Sequence, residues 1–121
     1  MKIFFIAVLV LNFLFEGVAG LALVVLSETG IAAAAHDAAG NWSMNYGFAA
    51  WAIASAIFWV WPHRENFAVV GAVLGILTTF HLFLTISLGV TGNQMGPTIL
   101  HGVMFVLCLV AYTQRSKWCT S

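Results

Sequence analysis

The sequence predicts an all-α membrane protein, an antiparallel bundle of four transmembrane helices with both termini in the cytoplasm. Three observations carry that prediction. Hydrophobic residues make up 62% of the 121 and charged residues only 7%, which leaves too little polar surface to cover a soluble globule of this size. Four apolar runs, at about residues 3–26, 45–61, 67–90 and 97–113, have or approach the length that crosses a hydrocarbon core of about 30 Å at roughly 1.5 Å per residue. Finally, Lys2, Arg64, Arg115 and Lys117 fall before the first run, between the second and third, and after the fourth, so an up-down-up-down path gathers every Lys and Arg on one side. The chain therefore reads as a single integral domain of a plasma or inner membrane, with the lipid bilayer as its solvent.

The first run begins after Lys2 and carries Gly17, Ala19 and Gly20, a layout that resembles a cleavable signal. It continues apolar through residues 21–26, beyond any such cut, and sets Glu16 just ahead of it, so a retained helix is expected. Asn12 and Glu16, four apart, share a helical stripe that continues to Gly20 and Ser27, and this stripe should face protein. Residues 27–44 form the outer connection, with Glu28, His36 and Asp37 around an alanine run. The pattern fits either a short surface helix ended by Gly40 and Asn41 or a polar loop.

In the second run Ala49, Ala52, Ser55 and Ala56 recur at three and four and offer a close-packing face. Trp59 and Trp61 mark the interface, Pro62 ends the helix, and His63 belongs to a solvated turn. The third run carries Gly71 and Gly75, followed by Thr78, Thr85 and Gly89 on about the same face, with His81 at its edge. The fourth begins at Pro97, tolerated in a first turn, and aligns His101, Phe105, Cys108 and Tyr112; a polar, frayed tail should follow. Cys108 and Cys119 stand too far apart along a helix for a mutual disulfide.

A net charge of zero offers no footprint for nucleic acid, and no nucleophile motif, phosphate loop or zinc spacing is present. Ionisable groups at membrane depth are another matter, because they are costly there and mark functional sites by default. Glu16 and His81 each come roughly 13–14 residues after entering from the cytoplasmic side, about 20 Å up at the helical rise. His101, on a descending helix, lies roughly 6 Å below the outer boundary. The candidate site is thus Asn12, Glu16, His81 and His101, in the outer half of the bilayer.

Chemistry leaves several uses open for such a set. A carboxylate beside imidazole can share a proton or bind a small ligand. His81, His101 and Glu16 together make a facial donor set for a divalent transition metal. The two histidines can also be read as axial ligands of a haem, which would make the chain a membrane oxidoreductase. The plain alternative is that the polar groups hydrogen-bond across helices with Asn12, Thr78 or Ser55 and fix the packing register. A different class again is an accessory or scaffolding subunit that docks into a larger membrane complex by its Gly and Ala faces, or a homo-oligomer.

With four helices in about this length and one glutamate in the middle of the first, the layout resembles that of small multidrug resistance transporters. That resemblance maps the family's proton and substrate carboxylate onto Glu16 and implies transport. The local sequence FLFEGVAG places glycines one and four residues after Glu16, and His81 and His101 are foreign to the family's pattern, so what the resemblance implies is architecture.

Overall fold

The computed structural model describes residues 1–26, 38–92 and 94–120. Glu28, His36 and Asp37, and with them the choice between surface helix and loop, lie outside the described residues. Those described are helical apart from connecting turns and one isolated bridge between Asn66 and Thr120. Helix α1 is Lys2–Leu21 and continues as a π-helical turn, Ala22–Leu26; α2 is Ala38–Ala54, α3 Ala56–Val60, α4 Phe67–Thr91 and α5 Met95–Gln114. Short 3-10 turns, Trp61–His63 and Arg115–Lys117, follow α3 and α5.

Among the described residues, three helical stretches are long and apolar enough to cross a membrane: Lys2–Val25, Phe67–Thr91 and Met95–Lys117. The outward faces agree with a lipid solvent. Ile3, Val18, Trp59, Ile76, Phe83 and Val90 are all exposed, an arrangement that water would penalise and hydrocarbon accepts.

The chain divides into two compact units, one formed by Met1–Val8 with Trp59–Ser121 and the other by Leu9–Phe58. The first is built on an antiparallel hairpin of α4 and α5. Asn66 caps α4, its side-chain oxygen accepting from the Val69 N–H at 3.0 Å. Gly92 ends the helix at φ 73°, a left-handed conformation that suits glycine, and its N–H bonds the Leu88 carbonyl. Val70, Leu74, Leu77 and His81 form the buried stripe of α4; His101, Met104, Cys108 and Ala111 form that of α5. Both follow the three-and-four spacing of a helix side packed against a neighbour.

This corrects the expected face of the fourth run, since Met104 and Ala111 are buried while Phe105 and Tyr112 are only partly covered. The glycines of α4 lie beside its buried stripe and receive α5. A Cβ added at Gly71 would meet Arg115 Nε at 3.0 Å, and one at Gly75 would meet the Tyr112 ring at 3.9 Å. At Gly71 and Gly75 the neighbour is therefore a side chain of the same chain.

The expectation of a frayed tail also fails. Thr120 donates its N–H to the Glu65 carbonyl at 2.7 Å and accepts from the Phe67 N–H at 3.1 Å. Trp118 stacks on Phe5 at 5.5 Å, and the Arg115 guanidinium lies between the rings of Phe67 and Tyr112 at 4.2 and 4.1 Å. Lys2 pairs with Glu65, tying the amino-terminal turn to the same end. Two aromatic seats and a short bridge offset the entropy that a polar tail would otherwise keep.

In the second unit the buried stripe of α1 passes through Leu9, Asn12, Glu16 and Gly20 to Val24 in the π-helical turn. Helix α2 begins at Ala38, earlier than residue 45, so Gly40 and Asn41 stand inside a helix rather than ending one. Its expected packing face is displaced as well. Ala49 and Ala52 are exposed, and the close approach uses Gly47, Ala50 and Ala54 instead. At Ser55 the helix breaks. The Ser55 hydroxyl donates to the Ala52 carbonyl at 2.7 Å, a local bond that competes with the helical ladder and bends it.

Candidate functional site

Within the α4–α5 hairpin, the register of the two helices brings His81 and His101 into direct contact. Their Nδ1 atoms are 2.9 Å apart, with ring planes tilted by 38°. Both residues are buried, at 0% and 2% exposure. Phe80 stands edge-on to each ring at 5.2 and 6.1 Å. Next to His101, Gly102 faces Thr85: an added Cβ would sit 3.7 Å from the Thr85 methyl, an ordinary van der Waals contact. Thr85 in turn donates its hydroxyl to the His81 carbonyl at 2.7 Å.

This geometry restricts the protonation of the pair. An Nδ1···Nδ1 hydrogen bond needs one nitrogen to donate and the other to accept, so the neutral pair contains one Nδ1–H tautomer and one Nε2–H tautomer. One Nε2 then presents a lone pair and the other an N–H. A single proton added at the unprotonated Nε2 yields a singly charged pair sharing the central N–H. A second would set two N–H groups head to head across 2.9 Å, so this arrangement takes one proton and no more.

The haem expectation needs a different arrangement of the two rings from the one seen here. Axial nitrogens on opposite sides of one iron stand about twice a metal–nitrogen bond of roughly 2 Å apart, with the macrocycle between them. The His81 and His101 rings, bonded nitrogen to nitrogen at 2.9 Å, leave no such gap.

In the other unit, α1 positions Asn12 and Glu16 on its buried side, at 1% and 0% exposure. Asn12 Nδ2 donates to the Ile53 carbonyl at 3.2 Å, two residues before the break at Ser55. Trp51 adds a second tie, its Nε1–H donating to the Gly17 carbonyl at 3.1 Å. Neither Trp51 nor the Gly20–Gly47 approach was singled out from the sequence, although Gly20 lay on the stripe expected to face protein. The only available signal was two glycines in antiparallel runs, each one turn from a polar or aromatic residue. Beside this pair, Phe13, Gly17, Trp51 and Phe58 help line an apolar groove of about 460 Å³.

Thr78 and Ser55 do not act as cross-helix donors. Thr78 donates to Leu74 and Ser55 to Ala52, each one turn back on its own helix. Packing glue of the expected kind is thus seen at Asn12, whereas the histidines bond one another.

Comparison of the chain with protein-family models, with curated proteins and with solved structures finds no match.

Proposed function

We propose that this is a small polytopic membrane protein whose buried histidine pair binds and relays a proton. The observation that supports this reading is the 2.9 Å Nδ1···Nδ1 contact between His81 and His101 on two apolar, membrane-length helices. A proton accepted at one Nε2 moves the shared hydrogen across the Nδ1 pair and releases another from the opposite Nε2–H, leaving the tautomers exchanged. Glu16 is proposed as the group that exchanges this proton with its surroundings, and Asn12 as its support; the argument is their depth along the sequence, about 20 Å from the charged end for Glu16. Transport coupled to that proton is one use of such a set.

The architecture proposed with it has four crossings. Residues 38–60, helical on both sides of Ser55, would supply the additional one. Lys2, Arg64, Arg115 and Lys117 would then face the cytoplasm with both termini.

The test is nitrogen-resolved NMR of the full chain in lipid nanodiscs. A shared proton couples both Nδ1 atoms, shows a strongly downfield resonance, and disappears in His81→Ala and in His101→Ala alike. Uptake of two protons by the two rings, with independent midpoints, would end the proposal. Glu16→Gln should change the pH dependence of proton uptake while leaving the shared resonance intact; unchanged dependence would remove Glu16 from the scheme.

A second reading follows from the same distance. With metal–nitrogen bonds of about 2.05 Å, nitrogens 2.9 Å apart subtend about 90° at a shared ion, the cis angle of a tetragonal site and narrower than a tetrahedral one. Calorimetry with Cu²⁺ and Ni²⁺ decides it: stoichiometric binding lost in both alanine variants favours the metal, and its absence leaves the proton.

A further inference from the structure

At the charged end of the α4–α5 hairpin, Pro62, His63, Arg64, Glu65, Asn66 and Thr120 line a polar concavity of about 330 Å³. Backbone bonds hold its walls: Asn66 N–H donates to the His63 carbonyl at 2.8 Å, and Thr120 bridges Glu65 and Phe67. The acid in this wall is already matched, since Lys2 pairs with the Glu65 carboxylate.

What remains is mainly donors. The Arg64 guanidinium lies over the Trp61 ring at 5.3 Å and gives Nη1 to the Trp61 carbonyl at 2.9 Å. A guanidinium carries five N–H groups in a planar fork, so this anchoring fixes its direction and leaves donors for a ligand. The Asn66 side-chain oxygen accepts from Val69, which turns its amide N–H₂ away from the helix. His63 completes the lining, while the Thr120 hydroxyl donates to the Glu65 carbonyl at 3.4 Å.

We propose that this concavity binds a phosphate group, held by the Arg64 fork with Asn66 and His63 as further donors. A planar fork matches phosphate oxygens in pairs, which a lone ammonium does not. The site sits at the end of a membrane-spanning hairpin near Trp61 and Trp118, whose indoles belong at headgroup level, so an anionic phospholipid is the source nearest to hand. Free inorganic phosphate offers the same chemistry.

Native mass spectrometry of the full chain from mixed micelles tests this, with retained phosphatidylglycerol compared against phosphatidylcholine, beside a titration with inorganic phosphate. Preferential phosphatidylglycerol retention, reduced on the order of tenfold in Arg64→Gln and unaltered in Lys117→Gln, supports the site with a lipid as ligand. Inorganic phosphate binding that depends on Arg64, without lipid preference, supports the site with the free anion as ligand. His63→Ala, a change at an exposed position that leaves the fold intact, should weaken either ligand about threefold. No preference for either ligand overturns the proposal. Equal losses in Arg64→Gln and Lys117→Gln also overturn it, because diffuse charge would then account for binding.

Discussion

Gly20 offers the sharpest test of how the Leu9–Phe58 unit is held together. A Cβ added there would lie 2.3 Å from Trp51 Cδ1, 2.4 Å from its Nε1 and 2.9 Å from the Gly47 carbonyl oxygen. The indole can swing aside only by giving up its bond to the Gly17 carbonyl, and the Gly47 backbone can retreat only if the helices separate. Overpacking costs about 1–3 kcal/mol, and a buried N–H that loses its acceptor costs about 1–3 more. Better helix propensity returns about 1 kcal/mol, so Gly20→Ala should destabilise by about 3 kcal/mol, within a range of roughly 1–5. Gly17, one turn earlier, borders the apolar groove and has nothing within 4 Å of an added Cβ. Gly17→Ala should be neutral or gain up to about 1 kcal/mol. Unfolding in mixed detergent–SDS micelles gives the two stabilities, and the Trp51 indole N–H resonance reports the bond directly. If Gly20→Ala unfolds with the wild type and the indole signal stays in place, the close approach is wrong. If both variants lose stability equally, the effect belongs to glycine in α1 at large and not to this contact.

Other perturbations address the hairpin unit. Glu65 has its carboxyl held below the ordinary 4.5 by the hydrogen bond and charge of Lys2, with Arg64 adding to it. Because the folded-state value is lowered, its contribution is present above about pH 4.5 and is lost as the pH falls through the lowered value. Lys2→Gln should return the Glu65 midpoint toward 4.5 in a carboxyl NMR titration, and salt should do so in part. At the two ends of α4, Asn66→Ala removes the cap on Val69 at about 1 kcal/mol, and Gly92→Ala forces a Cβ into φ 73° at about 1–2 kcal/mol, both read by detergent unfolding. Gly92→Asn should recover part of the second loss, which a simple steric defect at that turn would not permit. For the histidines, His101→Leu alone takes the bonded ring from His81 and should cost about 1–3 kcal/mol, whereas the double change to leucine should be nearly neutral in stability while abolishing uptake of the single proton.

Several features were open to reading because they rest on quantities the sequence carries directly. Length and apolar composition suffice to mark the membrane-length helices, and a four-residue interval suffices to put Asn12, Glu16 and Gly20 on one side of α1, where all three are buried. Rotation is harder. One residue turns a helix by about 100°, so choosing Ala49 and Ala52 over the neighbouring Gly47, Ala50 and Ala54 presented the wrong face of α2. In a helix made almost entirely of small and apolar residues, period alone gives little contrast between faces. The break at Ser55 escaped for a related reason: serine at that position reads as another small residue, and only its bond to Ala52 reveals the bend.

The polar groups show what decides between packing glue and chemistry. Ser55, Thr78 and Thr85 each donate to a carbonyl on their own helix, so their hydroxyls accompany the backbone wherever it goes and confer little cross-helix specificity. Asn12 does cross, but to a backbone carbonyl, an acceptor that exists whatever side chain Ile53 carries. Among the described residues, His81 and His101 bond side chain to side chain while buried, a contact that needs both residue types present together. A packing role asks for one donor and one acceptor, which simpler residues such as Asn or Ser provide. Two imidazoles joined through Nδ1 add a property those residues lack: each ring retains a second nitrogen, so a charge entering at one end of the pair can leave from the other.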